Sequence, residues 1–188
     1  MNIKIFWDPQ VLAGLTGLER PVTRTVEMIL QIQVKTLDDG IFISGYDTKR
    51  RQFDAQRILN KLQVYKQKHG ISTPILLVTS RDLFVKGSDF VFGLARESSG
   101  VAVVSSERLR NEFYAREHDD DLLVSRIAVE IAHEVGHILG LAHCKDSQCI
   151  MFPPETLDQL DGKKRAFCSF CQQELKKQTG EEIIDSFD

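Results

Sequence analysis

The sequence has no run of apolar residues long enough to cross a membrane, which takes roughly 18 in succession. Its opening stretch, MNIKIFWDPQ, lacks the apolar core and small-residue cleavage site of a secretory leader. The expected setting is therefore the cytoplasm, where thiols stay reduced. Nor is there an excess of either charge: 24 Lys and Arg stand against 27 Asp and Glu, for a formal net charge of -3. That balance removes the global basic footprint left by nucleic-acid binding. The short basic clusters Lys49-Arg50-Arg51 and Lys163-Lys164-Arg165 are read as solvated faces. Internal repeats and low-complexity linkers are missing too, so the 188 residues are expected to form one domain with a real core.

What is present alternates between strand and helix signals. Ile3 to Trp7 reads as a buried first strand ended by Asp8-Pro9. Residues 10–28 are ambiguous: Leu12, Leu15 and Leu18 have helical spacing, but Gly14, Gly17 and Pro21 interrupt it. Pro21 suits the first turn of a short helix ending near Met28, after which Leu30, Ile32 and Val34 alternate as a strand does. Ile41 to Asp47 reads as extended, and Lys49 to His69 as a helix stopped by Gly70. Pro74 to Ser80 looks like a central strand covered on both faces. The segments DFVFGLA and VAVVSS, with the turn-rich Arg96–Gly100 between them, predict a hairpin. The next long helix is expected to follow Glu117–Asp121, whose acids favour its positive dipole end, and to run to Gly140. A further helix is expected near Cys168 to Lys177.

Histidine is scarce, with five in the chain, yet three fall inside HEVGHILGLAH from His133 to His143. His133 and His137 are one helical turn apart and so project from the same face. Gly140 can adopt the positive φ that turns a chain out of a helix, allowing His143 to swing back toward them. Three neutral imidazoles and one exchangeable position describe a catalytic zinc site. Glu134, beside His133, can reach a water on such an ion and take its proton. His69 and His118 are read as ordinary surface residues.

The four cysteines also cluster, as Cys144-x4-Cys149, eighteen residues, then Cys168-x2-Cys171. Two close pairs of thiolates can wrap one tetrahedral zinc. Two disulfides or a redox C-x-x-C are the competing readings. A reducing compartment argues against the first, and the second leaves Cys144 and Cys149 unexplained. A polar tail of this length buries little apolar surface and gains from a metal staple. Because His143 and Cys144 are neighbours, one peptide bond would join the two sites.

These residues resemble the metzincin signature H-E-x-x-H-x-x-G-x-x-H with a downstream Met-turn. The cysteine directly after His143, the C-x4-C, Met151 and the later C-x-x-C resemble one branch, the archaemetzincins. Arg50–Leu59 and Phe90–Leu109 are similar to that family as well, so the resemblance covers most of the chain and is most specific from His133 to Cys171. The resemblance implies an α/β fold, a twisted mixed sheet with long helices and a small zinc-stapled C-terminal subdomain. Residues 1–143 would carry the active-site helix and 144–188 the cysteine-bearing part. It implies two zinc ions, a catalytic one on His133, His137 and His143 and a structural one on Cys144, Cys149, Cys168 and Cys171. Glu134 would be the general base, Met151 the Met-turn residue, and VAVVSS the edge strand pairing with an extended peptide. The pattern departs where some metzincins place an oxyanion-supporting tyrosine, since Phe152, Pro153 and Pro154 follow Met151 here.

The leading expectation is a zinc-dependent peptidase acting on peptides or exposed protein segments. A zinc hydrolase of a non-peptide amide would use Glu134 equally. A two-zinc binding module engaging a partner or nucleic acid would need the ligands without Glu134, and the acidic balance also argues against it.

Overall fold

Hydrophobic periodicity places two layers of helix on a central sheet. A computed structural model of the chain describes residues 2–8, 17–37, 41 and 43–179. In chain order the main elements are β1 (Asn2–Trp7), α1 (Glu19–Leu30), β2 (Gln33–Leu37), β3 (Tyr46–Asp47) and β4 (Gln52–Asp54). There follow α2 (Ala55–Lys68), β5 (Ile75–Thr79), β6 (Leu83–Phe84), β7 (Gly93–Arg96) and β8 (Val101–Ser105). The last three are α3 (Asp120–Ile138), α4 (Leu157–Asp161) and α5 (Ser169–Thr179).

The principal sheet has the order β2-β1-β5-β8-β7, and β3-β4-β6 form a small second sheet. β7 alone runs antiparallel within the larger sheet, paired with β8 from Gly93↔Val104 to Arg96↔Val101. Side chains of the central strands alternate between two cores. Ile75, Leu77, Val101 and Val103 face Ala55, Ile58, Leu59 and Leu62 of α2. Leu76, Val78, Ala102 and Val104 face the opposite core, with Val22, Val26 and Leu30 of α1 and the apolar face of α3. The expected mixed α/β architecture with long helices is the one observed.

Four boundaries differ from the sequence reading. α1 continues to Leu30, which belongs to the helix and not to a strand: Val22, Val26 and Leu30 recur every fourth residue and are all buried. Gln31, with φ 52, ends it. The helix expected from Lys49 begins at Ala55, because Asp47 Oδ1 accepts the Lys49 and Arg50 N–H groups and turns the chain into a hairpin. Asp54 then caps α2 by accepting from Gln56 N. Phe90–Phe92 precede the strand, which begins at Gly93. Most consequentially, VAVVSS is not an edge strand. β8 lies between β5 and β7 with all five residues buried, and β7 forms the edge. Of the ambiguous stretch 10–28, residues 10–16 lie outside the described residues.

Candidate active site

α3 is built to deliver two histidines to the end of a buried helix. Asp119 caps its start, accepting from Leu122 N at 2.9 Å, and Asp120 and Asp121 lie in the dipole-favoured first turn. At the other end Gly140 takes φ 85, with Gly140 N donating to His137 O and Leu141 N to Gly136 O. This paired closure satisfies the last carbonyls and reverses the chain. His143 is thereby returned to the helix end, its ring 4.8 Å from that of His137 and 5.4 Å from that of His133, centroid to centroid.

The histidines are oriented by backbone carbonyls. Nδ1 of His133 lies 2.8 Å from Ile150 O, and Nδ1 of His137 lies 2.8 Å from Leu141 O. A carbonyl can only accept, so both Nδ1 atoms carry the proton and both Nε2 atoms present lone pairs. Those Nε2 atoms are 3.1 Å apart, near the roughly 3.3 Å separating two nitrogens at corners of a zinc tetrahedron. The ligating atoms of all three histidines lie within 4.8 Å of one another. Burial pushes the pKa of each ring below its usual value, most strongly for His133. That direction favours the neutral imidazoles that a metal requires. Among the described residues this set fits zinc.

Glu134 sits in the cleft with the histidines and is 3% exposed. Its Oε2 is buried without a hydrogen-bond partner. Burial first, and the Glu130 carboxylate second, hold its pKa well above the usual carboxylate range, with the Lys163 charge opposing. The cleft has a volume of about 670 Å³ and is bounded in part by Phe92–Ala95, including most of the edge strand β7. Pro153 and Pro154 also line it.

The cysteines form a second cluster. Sγ of Cys144 is 3.7 Å from that of Cys168, and Sγ of Cys149 is 3.7 Å from that of Cys171. A disulfide would require about 2.05 Å, and all four thiols are free. The separation matches instead the edge of about 3.8 Å in a zinc–thiolate tetrahedron. Backbone N–H groups of Met151 and Cys168 point at Cys149 Sγ, and that of Asp146 at Cys144 Sγ. Burial pushes the Cys149 thiol up to about 11 and raises Cys171 too, so metal entry must displace protons.

Three consecutive residues join the clusters. Cys149 belongs to the thiol tetrad, and the Ile150 carbonyl orients His133. Met151 is fully buried against α3, so close to Gly136, which lies between His133 and His137, that a Cβ there would strike its sulfur. The sequence reading found every member of both clusters but missed this backbone carbonyl, which has no side-chain signature. It also missed Glu130, one turn before Glu134 on the same face. Lys163, read as part of a solvated cluster, is 8% exposed and donates to Ile150 O, whereas Lys164 and Arg165 are exposed. His69 and His118 are exposed and are not among the residues lining the cleft, in keeping with their reading as surface residues.

Comparison with known proteins points to one family. Residues 22–177 match peptidase family M54. The archaemetzincin of Thermococcus kodakarensis is 39% identical over 140 residues, 74% of this chain and 75% of that one. The solved zinc-dependent peptidase from Methanocorpusculum labreanum superposes with a TM-score of 0.85 at 41% identity, covering 92% of this chain and 99% of that one. The archaemetzincin from Methanopyrus kandleri gives 0.79 at 29% identity, covering 96% of each chain.

Proposed function

Because the chain belongs to the archaemetzincins of peptidase family M54, and is on that ground a zinc metallopeptidase, we propose that it cleaves extended peptides with Glu134 as general base. One observation carries the reading. Glu134, with an unpartnered buried oxygen, shares a cleft with three converging histidines and lies against the edge strand β7.

In this reading His133, His137 and His143 hold one zinc ion, and Cys144, Cys149, Cys168 and Cys171 hold a second, structural one. When bound at the histidines, zinc supplies a Lewis acid that lowers the pKa of a coordinated water toward about 7 and polarises a carbonyl. Glu134 accepts the proton of the attacking water on its carboxylate and returns it to the departing amine nitrogen. Its raised proton affinity, caused by burial, suits both halves of that transfer. The free edge of β7 offers backbone N–H and C=O groups to a peptide laid alongside it. Met151 supports the helix end from below, and Phe152, Pro153 and Pro154 leave no phenol to assist the oxyanion from that segment. Residues 1–143 and 144–188 act as one catalytic unit, since the Cys149–Met151 segment serves both clusters. Four free thiols held as a tetrad suit a reducing, cytoplasmic setting. Among the described residues no helix is long and apolar enough to cross a membrane.

The test is a diverse peptide library incubated with the zinc-loaded protein and with Glu134→Ala, cleavage being read by mass spectrometry. Products found only with the wild type support the proposal. Products with neither would move the reading to a non-peptide amide or to binding alone.

A further inference from the structure

A buried lysine is an expensive thing to place beside a cation site, and Lys163 is 8% exposed. Its ammonium donates to Ile150 O at 2.9 Å, the same oxygen that takes the His133 Nδ1–H at 2.8 Å. One carbonyl therefore receives two donors, each using one of its lone pairs. The N–H of the same peptide unit, that of Met151, donates to Cys149 Sγ at 3.4 Å, and the preceding Ile150 N–H is held by Ala166 O at 3.1 Å. Lys163 lies within a stretch that closes back on this segment, with Lys164 N donating to Gln148 O at 2.8 Å. A charged donor makes a hydrogen bond roughly twice as strong as a neutral one. The cost of burying the ammonium is offset partly by Glu130, also buried in α3, whose charge acts on Lys163.

We propose that Lys163 is a positioning residue for the histidine zinc site: its ammonium fixes the Ile150 carbonyl, and through that carbonyl the ring of His133. The inference rests on the reading of His133, His137 and His143 as zinc ligands. Glu130 is the counter-charge that allows the lysine to stay buried. The His133 ring, with its Nδ1–H on a fixed acceptor, can present Nε2 only in one direction. Without Lys163 the carbonyl gains freedom to rotate with its peptide, and the ring follows it.

The experiment compares the two-zinc protein with Lys163→Met/Glu130→Gln, a double variant that removes both buried charges together and leaves the local net charge unchanged. Zinc affinity of the histidine site is measured by competition with a chromophoric chelator, and its geometry by the visible spectrum after cobalt(II) substitution. Outer-shell changes of this kind cost about 10–100-fold in metal affinity. A loss of that size is expected at the histidine site, with a shifted cobalt spectrum and the cysteine-bound ion retained. Lys163→Arg, which keeps a charged donor, should restore both. Lys163→Met alone is the second variant, because a buried carboxyl deprived of its cation takes up a proton and again balances the charge. Wild-type affinity and an unshifted spectrum in a folded variant lacking Lys163 would overturn the proposal. So would failure of both variants to fold while Lys163→Arg folds, which would make Lys163 a folding residue. If the wild type itself took up no zinc that His143→Ala lost, the zinc-ligand reading would fail, and not this inference alone.

Discussion

Gly93 of β7 and Glu134 of α3 stand too close for a side chain to fit between them. A Cβ at position 93 would lie 2.5 Å from Glu134 Oε1, 2.8 Å from its Cγ and 2.9 Å from its Cδ. Gly93 does not have positive φ, so its backbone would accept alanine, and glycine in a strand is ordinarily the less stable choice by about 0.5–1 kcal/mol. The absent Cβ therefore serves the carboxylate rather than the strand.

Gly93→Ala should displace Glu134 while leaving the sheet intact. A misplacement of about 1 Å in a reacting group can cost on the order of a hundredfold in rate. The expected outcome is a fall of that order in turnover, with zinc content and melting temperature close to wild type. Turnover that held at the wild-type value would show that Glu134 can retreat without consequence.

Glu134→Ala should abolish hydrolysis with little effect on fold or zinc content, because in the proposed mechanism the carboxylate acts on the water and is not a zinc ligand. General-base catalysis is worth about a hundredfold to ten-thousandfold. Glu134→Gln should fail comparably, keeping the size but not the proton affinity. Single-turnover cleavage, with zinc measured on the same samples, decides it. Near wild-type turnover at full occupancy would mean another base.

Much of this site could be read from the chain, for reasons that particular residues make plain. The period from Val124 to Leu139, together with Gly140, specifies a helix end that brings His133, His137 and His143 together, and those three do converge. The spacing of Cys144, Cys149, Cys168 and Cys171 likewise specifies a tetrad. The resemblance, and not the residues, put VAVVSS at the edge, and the hairpin pattern itself does not say which of its strands lies inside. A continuous apolar run such as Val101–Val104 is the mark of a strand covered on both faces, and β8 is that strand. Gly93–Arg96 carries no comparable run. The helix expected from Lys49 failed because Asp47 and Asp54 act through side chain-to-backbone bonds, which override periodicity locally. Lys163 escaped notice since a lysine in a basic triplet gives no sign of burial.

The pH response of the α3 entrance follows from His118. This exposed ring reaches Glu112 Oε1 through Nδ1 at 2.5 Å and Asp120 Oδ1 through Nε2 at 3.0 Å. The Glu112 hydrogen bond first, and the Asp120 charge second, raise its pKa above 6.5. Its contribution to stability is complete below the unfolded-state pKa and is lost as pH rises through the folded one. Glu112 runs the other way: its own backbone N–H first, then His118, lower its pKa below 4.5, so its contribution fades as pH falls through that lowered value. The bridge is thus strongest between the two. Titration of the His118 ring by NMR should show a midpoint above 6.5, and His118→Gln should remove that pH-dependent part of stability. A midpoint at or below 6.5 would mean the bridge does not form in solution.

Metal removal should separate the two clusters. They share no residue, so metal analysis after extensive desalting should approach two zinc ions per chain. His143→Ala should lose one and keep the other, because the ring at position 143 is exposed and its removal leaves the thiols untouched. Cys168→Ser should be the more damaging change. The cysteine cluster ties together the segment whose Ile150, Met151, Leu157, Leu160, Phe167 and Leu175 enter the main core, against the sequence expectation that it buries little, and a structural zinc contributes its binding free energy directly to folding. It also holds Cys149, from which the chain runs straight into the Ile150 carbonyl that meets His133 and into Met151 packed on Gly136. Loss of that anchor should lower the melting temperature, open the segment from Cys144 onward to proteolysis, and weaken zinc at the histidine site in the same protein. His143→Ala, by contrast, should melt near the wild type once the cysteine site is loaded, since α3 and the sheet are buried without it. An unchanged melting temperature and digestion pattern in Cys168→Ser would count against a structural ion there, and a zinc ratio near one in the wild type would remove one of the two sites.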